Sequence, residues 1–307
     1  MTGPEEELLE ELRPRAFAIA YRMLGSVAEA EDVAQEALLR VHRTIEEGER
    51  IESPPAFVAT VATRLAIDEL RSARGRRETY VGEWLPEPIV TDPAGDPARQ
   101  AEMADSLSLA FLVLLESLSP EQRAVLLLRD VFDYGYDEIA RIVGTSETNA
   151  RQLATRARRH VEERRPRFET SREQRDELAR RFFAATQKGD LGSLEALLAH
   201  DVVLHGDGGG RVPALARPLQ GRSRVARTLL AWARQGLRVP GAGLREVEVN
   251  GEPGALVLDG DGNLVGVMSL DIIGGQVQAV SSVVNPDKLR HLGPVGDVRA
   301  LLGRRDG

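Results

Sequence analysis

The sequence predicts a multi-domain protein in which two all-α domains, a helical bundle and a helix-turn-helix, are followed by an α+β cone. Residues 8–77 read as helix throughout, and residues 136–161 read as two helices separated by a glycine. From residue 171, helices precede strand-like runs that alternate with glycine-rich turns. Helices followed by hairpin-forming strands indicate an α+β fold with a curled antiparallel sheet.

Three helices are predicted in the amino-terminal part. Gly25 ends the first helix, and Ser26 can cap a second helix whose outer face is acidic. Ser53 and two prolines start the third helix, which becomes basic towards its end. Between Arg64 and Arg77, five arginines face two acidic residues, a net charge of +3. Charge alone fits a nucleic-acid surface and the solvated end of a bundle equally well.

The strongest local pattern is a helix-turn-helix. A short amphipathic helix ends at Gly144, Thr145 and Ser146 offer an N-cap with support from Asn149, and a second helix follows with alanines at spacings of three and four. Between Arg151 and 167, seven arginines oppose two glutamates, although the whole chain carries a net charge of −8. This local excess predicts contact with phosphates and base edges in a major groove. The residues predicted to face DNA are Arg151, Gln152, Thr155, Arg156, Arg158 and Arg159.

Composition excludes several classes of protein. The 307 residues include no cysteine, so the chain has no disulfide framework, no thiolate nucleophile and no zinc-cysteine site. The first residues are acidic where a signal peptide is basic, and no apolar run approaches the roughly 20 residues that span a bilayer. We therefore expect a cytoplasmic protein with no membrane association, no cofactor and no metal, whose DNA contacts come from local basic faces.

The cone offers one candidate acid–base pair. His205 and Asp207 lie two residues apart and would share one face of a strand. An isomerase of this shape needs a carboxylate base with an oxyanion donor such as tyrosine, but all four tyrosines precede the cone. A structural role is therefore favoured over catalysis, and we predict that the protein is not an enzyme. The elements predicted here are helices at Arg172–Thr186, Leu191–Leu198 and about Arg222–Gln235, and strands at Val202–His205, Leu244–Asn250, Ala255–Asp259, Leu264–Ile273 and Gln276–Val284.

Three segments in order resolve the ambiguity of the basic regions. Glu29–Glu36, Ala56–Arg71 and Leu118–Leu128, the last leading into the helix-turn-helix, resemble an extracytoplasmic-function RNA polymerase sigma factor over roughly residues 8–165. The resemblance implies that Asp32, Gln35 and Glu36 dock on the polymerase and that the helix-turn-helix reads the −35 element. Many members carry Asn where this chain has Arg64, so the base preference at −10 is expected to differ. The resemblance places these residues at the −10 strand: Arg64, Asp68, Arg71, Arg74, Arg76 and Arg77.

Three further motifs resemble a branch of these sigma factors that carries a SnoaL-like carboxy-terminal extension. The resemblance implies that the extension replaces a separate anti-sigma protein and that the motifs meet near the linker. One departure is Arg211, where the branch has lysine. A tryptophan in a linker also favours a hydrophobic dock. The motifs are Trp84, Leu85, Pro86, Glu87 and Pro88 in the linker, Asp207, Gly208, Gly209, Gly210 and Arg211 in a loop, and Asn285, Pro286, Asp287, Lys288 and Leu289 in the tail.

The predicted domains are residues 1–77 (core binding and −10 recognition), 78–105 (linker), 106–170 (−35 recognition) and 171–307 (SnoaL-like regulatory domain). The expected partners are core RNA polymerase, through the β′ clamp helices and the β subunit, and promoter DNA, with a monomer when free. A small-molecule ligand in the cone stays open, as do the promoter, the signal and the sign of regulation. The alternatives are a one-component ligand-responsive DNA-binding regulator and, third, an isomerase or cyclase fused to a DNA-binding domain.

Overall fold

A computed structural model describes residues 3–91, 107–162 and 170–301. The chain separates into two compact units, whose described parts are residues 3–79 with 112–162, and residues 80–91 with 107–111 and 170–301. We call the first the helical unit and the second the cone unit. The linker residues 80–91 therefore cluster with the cone.

The first three helices of the helical unit form a bundle. Gly25 ends α1 in the left-handed region at φ 68°, and the Ser26 side chain accepts a hydrogen bond from the Glu29 amide at 3.2 Å to cap α2. The predicted stripe of α2 is buried at Ala30, Val33, Ala34, Ala37 and Val41. The bounds are α1 Pro4–Leu24, α2 Val27–Glu46 and α3 Pro54–Glu78.

The second half of the helical unit centres on a buried helix. Ser119 and Gln122 form a capping box at its start, and the run from Ala124 to Leu128 is buried. The guanidinium of Arg123, only 3% exposed, donates to the carbonyls of Leu115 and Met23 and so ties this helix to the end of α1. The bounds are α4 Leu109–Leu115, α5 Pro120–Asp130, α6 Tyr136–Val143 and α7 Glu147–Glu162.

The cone unit packs three longer helices and a short tail helix with a seven-stranded sheet. The strands lie in the order β1, β4, β5, β6, β7, β2, β3, and Phe182 and Phe183 are fully buried in the core. The helices are α8 Arg172–Lys188, α9 Leu191–Leu197, α10 Arg222–Gly236 and α11 Val298–Leu301, with 3-10 turns at Pro286–Lys288 and Arg290–Leu292. The strands are β1 Val90–Thr91, β2 Leu198–Asp207, β3 Leu219–Gln220, β4 Gly243–Val249, β5 Glu252–Leu258, β6 Leu264–Ile273 and β7 Gln276–Val283.

This architecture confirms the α+β class, but the sheet is mixed where an antiparallel sheet was predicted. Strands β4 to β7 form an antiparallel meander, whereas β2 pairs with β7 in parallel. Because β3, α10 and the strands β4 to β6 separate β2 from β7 along the chain, no hairpin turn constrains their relative direction. The linker supplies β1, which pairs with β4 and forms one edge of the sheet.

Candidate DNA-reading surfaces and the linker clasp

The helix-turn-helix has the local geometry that the sequence predicts. Gly144 ends α6 at φ 76°, the Ser146 hydroxyl accepts from the Asn149 amide at 3.2 Å, and the Asn149 side chain donates to Thr145 at 2.7 Å. Three alanines of α7 are buried against the neighbouring helices. The opposite face is therefore directed outward.

That outward face is basic and held by surface ion pairs. Arg158 is half-buried and donates to Asp130, with 2.9 Å from Nε to Oδ2. Arg151 pairs with Glu147 one turn earlier and lies 4.6 Å from the centre of the Tyr136 ring. Exposed pairs of this kind contribute little to stability, so phosphates can replace the carboxylates. The remaining predicted contacts, Gln152, Thr155, Arg156 and Arg159, are also exposed.

Arg64, expected at the −10 strand, is engaged with the helix-turn-helix. Its Nε donates to the carbonyl of Ile142 at 2.9 Å and its Nη2 to that of Arg141 at 2.8 Å. Both carbonyls belong to the last turn of α6, where helix carbonyls lack intrahelical partners and the helix dipole favours a cation. The guanidinium is thus a side-chain cap of α6.

Arg71, on the same face of α3, bridges to α5. It donates to Glu121 at 2.7 Å and to its neighbour Asp68 at 3.2 Å. Burial opposes ionisation of Glu121, but the hydrogen bond from Arg71, together with those from its own backbone amide and from Ser119, lowers the pKa of that carboxyl. The other predicted −10 side chains, Arg74, Arg76 and Arg77, lie outside the described side chains.

The residues predicted to dock on polymerase lie on the outer face of α2. Asp32 and Gln35 are exposed. Glu36 is half-buried and accepts from Arg40 at 2.9 Å. The helical periodicity that buries Ala37 and Val41 directs these polar side chains away from the bundle.

The three regulatory motifs meet around one buried carboxylate in the cone unit. Asp207, at the end of β2, is fully buried and accepts four hydrogen bonds. The donors are the Tyr80 hydroxyl at 2.6 Å, the Leu85 amide at 2.9 Å, the Gly209 amide at 2.9 Å and the Lys288 ammonium at 2.7 Å. We call this arrangement, in which loop and tail hold linker residues 80–91, the linker clasp.

Lys288 is the cation of the clasp and is only 7% exposed. Its ammonium also donates to the Leu85 carbonyl and lies 4.2 Å from the centre of the Trp84 ring and 5.0 Å from that of Tyr80. Burial, together with the hydrogen bond to Asp207, raises the pKa of Tyr80 and keeps its hydroxyl protonated. A hydrophobic dock was predicted for Trp84, whereas the contact described here is with the ammonium of Lys288.

The clasp loop needs glycine at two adjacent positions. Gly209 and Gly210 adopt φ of 59° and 68°. A Cβ on Gly209 would lie 2.2 Å from the Asn285 side-chain nitrogen, and one on Gly210 would lie 2.9 Å from the Val81 Cβ. Close backbone approach to the linker and to the tail therefore explains the glycine run.

The other motif residues differ in burial. Leu85, Pro86, Pro88, Gly208 and Leu289 are buried, and Glu87 and Pro286 are half-buried. Asp287 and Arg211 are exposed and form a surface ion pair at 3.1 Å. The Asn285 side chain accepts from the Asp287 amide, the cap predicted from the sequence, and also donates to the Tyr80 hydroxyl at 2.8 Å.

Sequence reasoning missed four side chains that tie the linker to the cone: Tyr80 and Glu83 within the linker, and Asn250 and His291 outside it. Glu83 accepts from the ring of His205 at 2.7 Å, the Ile89 amide donates to Asn250 at 2.9 Å, and the Pro88 carbonyl lies 2.9 Å from His291 Nε2. The Tyr80 hydroxyl donates to Asp207, as described above. The clearest available signal was Tyr80 and Glu83 flanking the tryptophan motif.

The candidate acid–base pair is also explained by the clasp. His205 is bonded to Glu83, and Asp207 is bonded to the linker and to Lys288. Both side chains are therefore bonded to residues of the linker or the tail.

Comparison with known proteins identifies the family of the helical unit and of the chain as a whole. The family description Sigma-70 region 2 matches residues 8–76, and Sigma-70, region 4 matches residues 108–161. The chain is 39% identical over 290 residues to the ECF RNA polymerase sigma factor SigJ of Mycobacterium tuberculosis, covering 91% of each chain. It is 32% identical over 294 residues to the probable sigma factor SigI of that organism, covering 94% of each.

The crystal structure of M. tuberculosis SigJ gives a TM-score of 0.74 and covers 91% of this chain and 96% of that one. The chain belongs to the extracytoplasmic-function RNA polymerase sigma factors. The resemblance inferred from the three ordered segments is thereby confirmed. In the described part of the chain, a helix with the length and apolarity to cross a bilayer is not found.

Proposed function

We propose that this sigma factor binds core RNA polymerase through α2, reads the −35 element with α7 and the −10 element with the basic half of α3, and is regulated by the linker clasp of its own cone. The observation that carries the regulatory part is the buried Asp207 carboxylate, which bonds the linker and the tail at once. A linker held this way has fewer residues free to span the two DNA-reading regions. The state of the clasp thus sets how far those regions separate on a promoter.

Arg64 supports a closed free state in the helical unit. Its guanidinium commits Nε and Nη2 to the carbonyls that end α6, so contact of these two nitrogens with a −10 strand competes with the cap. Reading of a −10 base or phosphate by Nε and Nη2 exchanges these two hydrogen bonds for contacts with DNA. An arginine at this position, in place of the common asparagine, thus couples −10 reading to release of the helix-turn-helix.

The direct test is single-round transcription with core polymerase on a promoter library. Full-length protein is compared with a chain trimmed of residues 285–307 and with one lacking residues 171–307. We expect the two truncations to differ, because the first leaves a cone that has lost Asn285 and Lys288 and the second leaves no cone. Equal transcription by all three proteins would show that the cone does not regulate the protein, and it would not contradict the proposed sigma-factor function.

Tryptophan fluorescence tests the clasp itself. The chain has two tryptophans, so replacing Trp232 with Phe leaves Trp84 as the reporter. We expect a blue-shifted emission that moves to longer wavelength in the trimmed chain, since Trp84 packs against the Lys288 side chain. If Trp84 in the full chain emits like a water-exposed indole, and trimming does not change that emission, then residues 80–91 act only as a linker.

Polymerase docking is tested by charge reversal on α2. The double variant Asp32→Lys and Glu36→Lys should lose co-purification with core enzyme while its helical circular dichroism is kept. Glu47→Lys with Glu49→Lys, just beyond the end of α2, makes the same change of charge and should bind normally. Normal binding by a folded Asp32/Glu36 variant contradicts the assignment to the β′ clamp helices.

A further inference from the structure

The cone encloses a cavity of about 560 Å³ that the clasp does not use. Its wall is mainly apolar and includes Leu229, Trp232 and Met268. The polar side chains in the wall are Thr186, Gln187 and Ser282, and none of the described lining residues carries an ionisable side chain. The volume falls within the range of about 300–1,000 Å³ that is usual for small-molecule sites.

We propose that this cavity binds a neutral, predominantly apolar small molecule carrying one or two hydrogen-bonding groups. A charged ligand would lose its hydration without gaining an opposite charge from the wall, which is costly. Thr186 and Ser282 are buried in the wall. The Thr186 hydroxyl donates to the Phe182 carbonyl at 2.8 Å, so towards the cavity it serves as an acceptor.

The cavity wall is continuous with the clasp, and the consequence of binding rests on the clasp function proposed above. Gly206 and Ser282, both in the wall, are register partners in the parallel pair of β2 and β7. The next residue of β2 is Asp207. Its carbonyl accepts from the Val284 amide at 2.8 Å and from the Asn285 amide at 3.0 Å. An occupant therefore contacts backbone one residue from the carboxylate that holds the linker.

The tail of the chain closes another part of the wall. Val298 is buried, lines the cavity and packs in a cluster with Val257 and Val284. The segment before it is strapped to the start of β6, because the Leu264 amide donates to the Pro294 carbonyl at 3.1 Å. Deleting residues 285–307 therefore removes both the clasp lysine and one wall of the cavity.

Binding is measured on the full chain with Nile red, a neutral dye whose emission brightens in apolar surroundings. We expect one saturable site. Ala233→Trp, which points bulk into the cavity, should weaken binding by about tenfold or more. Ala231→Trp makes the same substitution two residues away on the exposed side of α10 and should bind like the parent. Equal binding by both variants, or no saturable binding by the parent, overturns the site.

A second variant keeps the test valid if Ala233→Trp fails to fold. Leu237 lines the cavity and is 65% exposed, so Leu237→Asp places a charge at the rim with little effect on the core. It should also weaken Nile red binding. Competition distinguishes the ligand class: 2-acetylnaphthalene should displace the dye and 2-naphthoate, its anionic isostere, should not. Equal displacement by the two overturns the assignment to neutral ligands.

Hydrogen–deuterium exchange then tests the coupling without any transcription step. Saturating 2-acetylnaphthalene should change exchange in peptides covering residues 80–91, where the Leu85 amide bonds Asp207. The change should be absent in Ala233→Trp. Binding with unaltered linker exchange overturns the coupling. Neither assay contains polymerase or promoter, so both can succeed even if the sigma-factor proposal fails. In that case ligand binding would be normal and the separate transcription assay would show no activity.

Discussion

The linker clasp and helix α7 use the same chemistry, a basic side chain paired with a carboxylate, at opposite degrees of burial. In the clasp, Lys288 and Asp207 are 7% and 0% exposed. On α7, Arg158 and Asp130 keep 42% and 33% of their side-chain surface, and Arg151 and Glu147 keep more. Water and salt screen the pairs of α7 and hardly reach that of the clasp.

The difference assigns two roles to paired charges in one chain. A buried pair is maintained only with complete hydrogen bonding, and removing one partner leaves an uncompensated charge. It therefore specifies one geometry of the linker. An exposed pair costs little to break, so the arginines of α7 can leave their carboxylates for DNA phosphates. Burial separates the residues that hold the protein in one form from those that exchange partners.

The largest effect is expected in the clasp. Lys288→Met keeps the apolar stem and removes the charge, which leaves the Asp207 carboxylate buried without its cation. The cone unit should lose about 3–5 kcal/mol of unfolding free energy. Urea unfolding followed by tryptophan fluorescence measures this, because Trp84 and Trp232 both lie in the cone unit.

Arg290→Met is the matched control, since Arg290 is a basic residue of the same tail, 75% exposed and paired only at the surface with Asp287. It should change stability by about 0–1 kcal/mol. Combining Lys288→Met with Asp207→Asn should recover part of the loss, because neither charge is then left alone and the introduced amide oxygen can still accept hydrogen bonds from the linker and the loop. A loss of the same size in Arg290→Met would erase the contrast between buried and exposed pairs.

The next effect concerns promoter affinity. If Arg156 or Arg151 reads a guanine, its change to Ala should cost about 1–3 kcal/mol and relax preference at one position of the −35 element. If it holds a phosphate, binding weakens for all sequences and the salt slope falls by about one. Binding titrations at several salt concentrations distinguish the two. Wild-type affinity in both variants excludes these residues from the interface.

A smaller effect is expected where the two DNA-reading halves of the helical unit meet. Arg64→Asn removes two charged hydrogen bonds to α6, a partly exposed contact that we expect to contribute about 1 kcal/mol. Because the chain has no cysteine, two introduced cysteines can carry spin labels on α2 and α7. The distance distribution should broaden in Arg64→Asn and stay narrow in Arg40→Asn, which loses only an exposed pair within α2.

The smallest effect is a pH dependence of the contact between Arg71 of α3 and Glu121 of α5. The hydrogen bond from Arg71 contributes to the lowered pKa of Glu121 in the folded chain. The contribution of ionised Glu121 to folding stability is therefore complete above the ordinary pKa of 4.5 and is lost as pH falls through the lowered pKa. Thermal unfolding of wild type and Glu121→Gln across that acidic range should converge at low pH. Parallel curves at every pH show that Glu121 does not contribute.

Local signals predicted the elements well. The Gly144 stop, the Ser146 cap and the Asn285 cap depend only on neighbouring residues, so the sequence contains what decides them. The bounds of β6 are those predicted, because its apolar run is enclosed by turns on both sides. The mixed sheet was not predictable in the same way, since the partner of β2 lies more than 70 residues along the chain.

The candidate sites show the same division. Outward residues of α7 follow from helical periodicity. The contact of Arg64 with α6 depends on how two helices from distant parts of the chain pack, which no local pattern contains. The meeting of the three motifs near the linker came from family resemblance, and sequence spacing offered no route to Asn250 or His291 as partners of the linker.

The pairing of β1 with β4 has a consequence for how the linker can be released. Val90 and Thr91 cover the outer edge of β4, and a sheet edge without a partner is a template for aggregation. Wholesale detachment of the linker would expose that edge to other chains. Opening confined to residues 80–88 would free the Asp207 end while β1 stays in place as a protective border. The cone can therefore release one end of the linker while β1 still covers the edge of β4 and prevents self-association through it.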